Sequence, residues 1–269
     1  QESPNKEKNS NTARPLFIQF MEQVDEDSIQ YLKVYNEPPF VCDLIGENSN
    51  DAGGPGRELF TQLIEELMNI HIGIFTINPN RLHNNKDTNK EDLIPNISSG
   101  SVDSYDDAYL YPKRFVYAGA LIAVCFMSSI PQPVKLAMFI WEYLSHEKVT
   151  IESIYEIDED FKVMIQTGES IMKVLRSNPD EMSDELFNQI FTHAFEIDNS
   201  FGKKVELIPS GSKIKVTKTN IGEFIDQAKK FRMEEFINVL TELKEGFDKV
   251  MIYKNIIKIL RPSELKLLI

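Results

Sequence analysis

Apolar residues recur every three to four positions along most of this chain, a spacing typical of amphipathic helices. The clearest stripe runs over residues 59–68, directly after a turn-forming cluster at 51–58. Pro262 suits the first turn of a short final helix. The pattern predicts helices at 15–24, 59–68, 113–126, 134–144, 161–165, 171–175, 221–231, 236–247 and from 262 onward.

Strand signals are shorter and less frequent. Apolar residues fill 40–45, and large side chains alternate with smaller or polar ones from Phe191 to Ile197, a period of two that indicates a half-buried strand. Residues 204–208 and 213–217 flank a Pro-Ser-Gly-Ser turn and predict a hairpin. Residues 78–111 are poor in apolar side chains and predict a long surface loop. The fold class is therefore α+β, mainly helical with short antiparallel strands.

The charge balance narrows the possible partners. A formal net charge of -13 argues against a nucleic-acid-binding surface, which needs a basic stripe. The segment from Glu152 to Ser200 contains twelve acidic residues and three basic ones, which indicates either a solvated face or a docking surface for a basic partner. The longest apolar stretch, 118–127, is too short to cross a membrane. Residues 1–13 are polar and predict a mobile tail.

Candidate chemical groups favour structural roles. Cys42 and Cys125 lie in apolar runs, which predicts reduced, buried thiols in an intracellular protein and not nucleophiles. The four histidines lack metal-ligand spacing. The glycine-rich turn at 51–58 lacks the Gly-Lys-Ser/Thr ending of a phosphate cradle, so a tight turn is favoured over a phosphate-binding enzyme. Asp158 and Asp160 are read as a solvated acidic loop with ordinary pKa values.

Six motifs carry a family resemblance between residues 14 and 269. In chain order they are Gly46-Glu47 with DAGGPGRELF at 51–60, FTINPN at 75–80, KRFVYAG at 113–119, VELIPSGSKIKVT at 205–217, LKEGF at 243–247 and LRPSELKLLI at 260–269. In this order they resemble the N-terminal lobe of HECT-type ubiquitin ligases. The resemblance implies a large subdomain at 14–152 and 234–269, and a smaller subdomain at 153–233 that binds a ubiquitin-conjugating enzyme (E2).

The resemblance also implies a mechanism. Ubiquitin would pass from the E2 to a catalytic cysteine on a C-terminal lobe, and then to a lysine of a substrate recognised through other regions. No motif like that of the catalytic cysteine occurs here, so we expect this residue beyond Ile269 and expect the chain alone to be inactive. We expect action in the cytoplasm, with the nucleus as a second compartment, and no cofactor, metal, nucleic-acid or membrane partner.

The resemblance assigns the E2 contact to an open apolar trough. Its residues are Phe161, Ile165, Phe191, His193, Phe195, Phe224 and Ala228. The alternative is that these are ordinary core residues. His193 and Ala228 depart from the larger apolar or aromatic residues usual at those places, which keeps a second function open: an interaction module without ligase activity.

Overall fold

The structure, a computed structural model, describes residues 14–32, 54–83, 89–97, 111–128 and 132–269. The predicted strand at 40–45, Cys42 and residues 51–53 of the turn lie outside these ranges. The described helices are α1 (Leu16–Gln23), α2 (Gly54–Leu67), α3 (Pro79–Leu82), α4 (Tyr111–Met127), α5 (Met138–Leu144), α6 (Ile151–Tyr155), α7 (Glu159–Ser177), α8 (Asp184–Ile190), α9 (Ile221–Glu234), α10 (Ile237–Val250), α11 (Lys254–Ile257) and α12 (Pro262–Leu267).

The strands form two small antiparallel pairs. Strand β1 (Phe75–Ile77) pairs with β2 (Leu93–Pro95), and β3 (Glu196–Asp198) pairs with β4 (Lys204–Glu206). The predicted class, mainly helical α+β, is confirmed. Among the helices of the described residues, none is long and apolar enough to cross a membrane.

Helices α4 and α10 pack against each other more extensively than any other pair of described helices. A Cβ atom added at Gly246 would overlap the carbonyl oxygen of Val116, and one added at Gly119 would overlap that of Leu243. The two helices therefore touch backbone to backbone at their crossing, which only glycine permits. Leu121, Ile122 and other fully buried side chains of α4 fill the surrounding core.

The predicted surface loop at 78–111 is wrong in part. Its residues Leu93 and Ile94 are buried in β2, which pairs with β1. Leu93 also bridges to Leu136, so residues just before Met138 are extended and α5 begins four positions later than predicted. An isolated apolar triplet among polar residues is too short a signal to predict a strand.

The predicted hairpin across 209–212 is also wrong. Residues 204–206 pair with β3, while Gly211–Lys213 form a 3-10 helix whose glycine packs against the carbonyl of Phe195. Of the strand predicted from Phe191 to Ile197, only β3 and an isolated bridge at Ala194 are paired. The two helical patches predicted at 161–165 and 171–175 are one continuous helix, α7.

Two buried asparagines of the FTINPN motif connect the larger part of the fold to α7. Asn78 caps α3 by accepting from the amide of Arg81, and it donates to the carbonyls of Asn89 and Asp92. Asn80 donates to the carbonyl of Glu156 and accepts from the amide of Glu159, at 3.0 and 2.7 Å. The start of α7 is thereby fixed to α3, which sets the position of every α7 side chain.

Candidate functional site

Four of the seven predicted site residues form one ring cluster, centred on Phe224 of α9. The Phe224 centroid lies 5.8 Å from that of Phe191, 6.0 Å from that of His193 and 5.7 Å from that of Phe195. Phe191 and Phe195 meet it edge to face, the preferred geometry for two aromatic rings. The structure therefore brings together residues from 191 to 224 that the sequence places on separate elements.

The remaining three predicted residues lie on the helices that support this cluster. Phe161 and Ile165 are on α7, and Ala228 is on α9, which packs against α7. Gly168 allows the close approach, because a Cβ there would press on Ile225 and contact the Phe191 ring. We call residues 159–234 the α7–α9 unit.

Burial separates one of the seven residues from the rest. Six are buried, Phe161 being 6% exposed and Phe224 fully covered, while His193 is exposed. Four of the seven side chains are in mutual contact, and because six are buried the seven do not all line an open trough. Their contact with an E2 stays a prediction.

An accessible cavity of about 270 Å³ opens beside the ring cluster, and two of the seven residues line it. Phe161 and His193 contribute to its wall together with Met164 of α7 and Ile197 of β3. The other lining residues are polar: His83, Asp158, Asp160, Glu196, Asp198, Asn199 and Lys204. The accessible concavity is thus part apolar and part acidic.

A buried ionic cluster supports the cavity from behind. Arg232 of α9, 1% exposed, donates at 2.6 Å to Asp158, 2.6 Å to Ser200 and 2.8 Å to Glu235. The guanidinium carbon also lies 5.2 Å from the Phe161 ring centroid, within the range of a cation–π contact. One side chain therefore joins the ends of α7 and α9 to the β3–β4 turn.

Asp158 corrects the prediction of a solvated acidic loop. It is 5% exposed, caps α7 by accepting from the amide of Phe161 at 3.0 Å, and binds Arg232. Burial raises the pKa of Asp158, and the Arg232 charge opposes that shift. Asp160 is exposed as predicted, and it accepts a 3.0 Å contact from His83. In the sequence, a carboxylate three positions before the apolar residues at 161–165 gives no sign of a partner as distant as Arg232.

His193 is the exposed edge of the ring cluster. The packing of Phe191 and Phe224 against its imidazole desolvates it, and Lys204 lies nearby, so both effects lower the pKa of His193. The ring is therefore neutral at pH 7 and offers an apolar face with two polar nitrogens.

No described residues gather into a group of three or more that could hold a metal ion. Cys125 is buried in α4, and burial raises the pKa of its thiol, which agrees with the prediction of an unreactive cysteine.

Comparison with known proteins identifies the family. The HECT domain (ubiquitin-transferase) family matches residues 61–269, most of the chain. This chain is a member of the HECT family.

Several relatives are named as E3 ubiquitin-protein ligases. HERC2 of Mus musculus is 23% identical over 207 residues, 77% of this chain and 4% of the relative. The ligase ptr1 of Schizosaccharomyces pombe is 24% identical over 230 residues, 83% of this chain and 6% of the relative. HECW2 of Homo sapiens is 24% identical over 229 residues, 84% of this chain and 13% of the relative. The chain thus spans only a small part of the HECT relatives it matches.

Sequence reasoning missed the cavity residues that are not part of the apolar pattern. His83 and Lys204 are distant from α7 in sequence. Arg232, which binds Asp158 of the lining, lies one position beyond the helix predicted at 221–231 and is a residue type that normally faces solvent. Only the spacing of Met164 from Phe161, one helical turn, could have marked it as a neighbour on the same face. The rest depends on how α3, α7 and the β3–β4 pair meet.

Proposed function

We propose that this chain is the part of a HECT ubiquitin ligase that docks an E2, so that ubiquitin can pass to a catalytic cysteine and then to a substrate lysine. Membership of the family and the names of its relatives as E3 ubiquitin-protein ligases support this proposal. The observation that carries the docking step is the accessible cavity on the α7–α9 unit, because its wall includes Phe161 and His193. In this proposal residues 153–233 form the E2-binding subdomain, and 14–152 with 234–269 form the large one.

The seven predicted residues then divide into two roles. Phe161 and His193 contact the partner, because they reach the cavity. Ile165, Phe191, Phe195, Phe224 and Ala228 shape the cavity from beneath, because they are buried. A wall backed by packed rings keeps its shape before the partner arrives, which reduces the cost of binding.

Filling the cavity tests the docking role. Met164 lines the cavity, whereas its neighbour Val163 is 52% exposed and does not. The chain is first tested for binding to a panel of E2 enzymes. For any E2 that binds, we expect Met164→Trp to weaken affinity about tenfold, a loss of about 1.4 kcal/mol in binding free energy. Val163→Trp, on the same helix, should leave affinity unchanged in titration calorimetry. Equal affinities for both variants and the unchanged chain would contradict docking at this cavity.

Removing the centre of the ring cluster tests the supporting role. Phe224→Ala should weaken E2 binding by about 1 kcal/mol or more. Because Phe224 is fully buried, the same change should also destabilise the fold by about 3–5 kcal/mol. Binding is therefore measured at a temperature where circular dichroism shows the variant folded, and an unchanged affinity there would remove Phe224 from the site.

The proposal also limits what the chain does alone. Supplied with charged E2, it should form no ubiquitin thioester, since Cys125 is buried and its pKa is raised. A reducible ubiquitin adduct on Cys42 or Cys125, found by mass spectrometry, would refute this. The alternative of an interaction module without ligase activity rests on His193 and Ala228. It predicts that no E2 in the panel binds.

A further inference from the structure

The cavity beside the ring cluster has two chemically different halves. Phe161, Met164 and Ile197 provide an apolar wall, while carboxylates stand around the rest of the lining. Its volume of about 270 Å³ is below the roughly 300 Å³ at which small-molecule clefts begin, so it fits a single long side chain.

The carboxylates around the cavity are not fully balanced. Asp158 is neutralised by Arg232, which approaches from inside the protein at 2.6 Å. Asp160, Glu196 and Asp198 remain, and Lys204 is the only lysine or arginine among the described residues that line the cavity. Its ammonium lies 3.6 Å from Glu196 and 3.8 Å from Asp198, and its side chain is 67% exposed. Such loose, solvated pairs contribute little and can be exchanged for another cation.

The occupant must satisfy both halves. A purely apolar side chain would strip water from the carboxylates without replacing it, which is unfavourable, and an acidic one would be repelled. Lysine and arginine combine an aliphatic stem that packs on apolar surface with a cationic head that meets carboxylates. An arginine head can also stack on the neutral His193 or on Phe161.

We propose that this cavity receives a lysine or arginine side chain of the E2, with the stem against Phe161 and Met164 and the charged group between Glu196 and Asp198. This inference rests on the proposed docking function and specifies its partner: an E2 with a basic residue on its docking face. Four of the twelve acidic residues between Glu152 and Ser200 line this cavity, and the net negative charge of the stretch favours such a partner over long range.

The first test uses an E2 that the panel shows to bind. The double substitution Glu196→Gln with Asp198→Asn should slow association about threefold at low salt and flatten its salt dependence. Asp226→Asn, at an exposed position of α9 away from the cavity, is the matched control. Each lysine and arginine of the E2 is changed in turn to methionine, and binding is measured to the unchanged chain and to the double variant. We expect one of these E2 variants to lose affinity for the unchanged chain but not for the double variant. Unchanged kinetics in the double variant, with binding intact, would overturn this inference and leave the docking function standing.

The second test needs no E2. N-acetyl-arginine amide at millimolar concentration should shift the NMR signals of the Met164 methyl and the His193 ring, and N-acetyl-norleucine amide should shift them much less. The double variant should lose the preference, and Asp226→Asn should keep it. Equal shifts from both probes would overturn the inference. A preference for the arginine probe in a chain that binds no E2 would instead refute the docking function alone.

Discussion

The α4–α10 crossing and the α7–α9 unit are both buried, but they are stabilised in different ways. At the crossing, two glycines remove side chains so that backbone packs on backbone. In the α7–α9 unit, four rings and one buried arginine fill the space between α7, α9 and the β3–β4 pair. Packing at the α4–α10 crossing depends on the missing side chains of two glycines. Packing in the α7–α9 unit depends on complementary charges and shapes.

This difference indicates which region can carry a binding site. Backbone contact at the α4–α10 crossing leaves no cavity between the two helices. We therefore interpret the crossing as a rigid support and not as a binding site. A unit assembled from α7, α9 and a two-stranded pair leaves gaps between elements, and one of these gaps is the cavity. Asp158, the buried carboxylate on its polar side, needs a countercharge, which Arg232 supplies.

Removing the buried arginine should produce the largest effect on stability. Arg232→Met leaves Asp158 and Glu235 buried without a countercharge, and we expect a loss of about 3–5 kcal/mol in the free energy of unfolding at pH 7. The variant should regain part of this stability as the pH falls, because burial already raises the pKa of Asp158 and protonation removes its unpaired charge. Urea denaturation at several pH values measures both effects.

The matched control for this prediction is on the same helix. Lys229 also forms an ion pair, with Glu169, but that pair is partly exposed, so Lys229→Met should cost less than about 1 kcal/mol. Adding Asp158→Asn and Glu235→Gln to Arg232→Met should restore most of the loss. If Arg232→Met alone behaved like Lys229→Met, the charge-based account of the α7–α9 unit would be wrong.

At the crossing, one added methyl group should be nearly as damaging. Gly246→Ala places a Cβ against the carbonyl of Val116, which cannot move without shifting α4, so we expect a loss of about 2–3 kcal/mol with no pH dependence. Gly222→Ala in α9 is the control. Its nearest neighbour is the flexible Met172 side chain at 3.4 Å, so helix propensity should make it stabilising by up to about 1 kcal/mol. Thermal unfolding of both variants decides the comparison.

Glu242 of α10 should give the smallest effect. Burial and then Glu245 raise its pKa from 4.5 to about 7, and its Oε2 has no hydrogen-bond partner. Since the folded chain holds this proton more tightly, the Glu242 contribution favours folding below pH 4.5 and is lost as pH rises to about 7.

Because Glu242 is only partly buried, solvent screening limits the effect to about 1 kcal/mol or less. Glu242→Gln should therefore be more stable than the unchanged chain at pH 8 and equal to it near pH 4.5, by urea denaturation. A constant difference across that range would show that Glu242 titrates normally.

The helices were predictable because their signal is repeated over many residues. The stripe at 59–68 and the apolar run at 113–126 both correspond to helices, α2 and α4, to within a few residues. Strands of three residues carry no such repetition, and β3 pairs with β4 across the turn at 199–203, which the pattern of apolar residues did not mark. Local turn residues at 209–212 therefore predicted the wrong pairing.

The sequence by itself determined the helical class through its periodicity and the family through its motifs, because both are local properties of the chain. The family resemblance then supplied the group of residues that includes the rings around Phe224. Only the tertiary structure decided which of them are covered and which face an opening. Burial depends on what lies on the far side of each residue: Arg232 behind Phe161, Gly211 behind Phe195 and α3 beside α7. Those neighbours are set by packing between distant segments, a property that no local pattern contains.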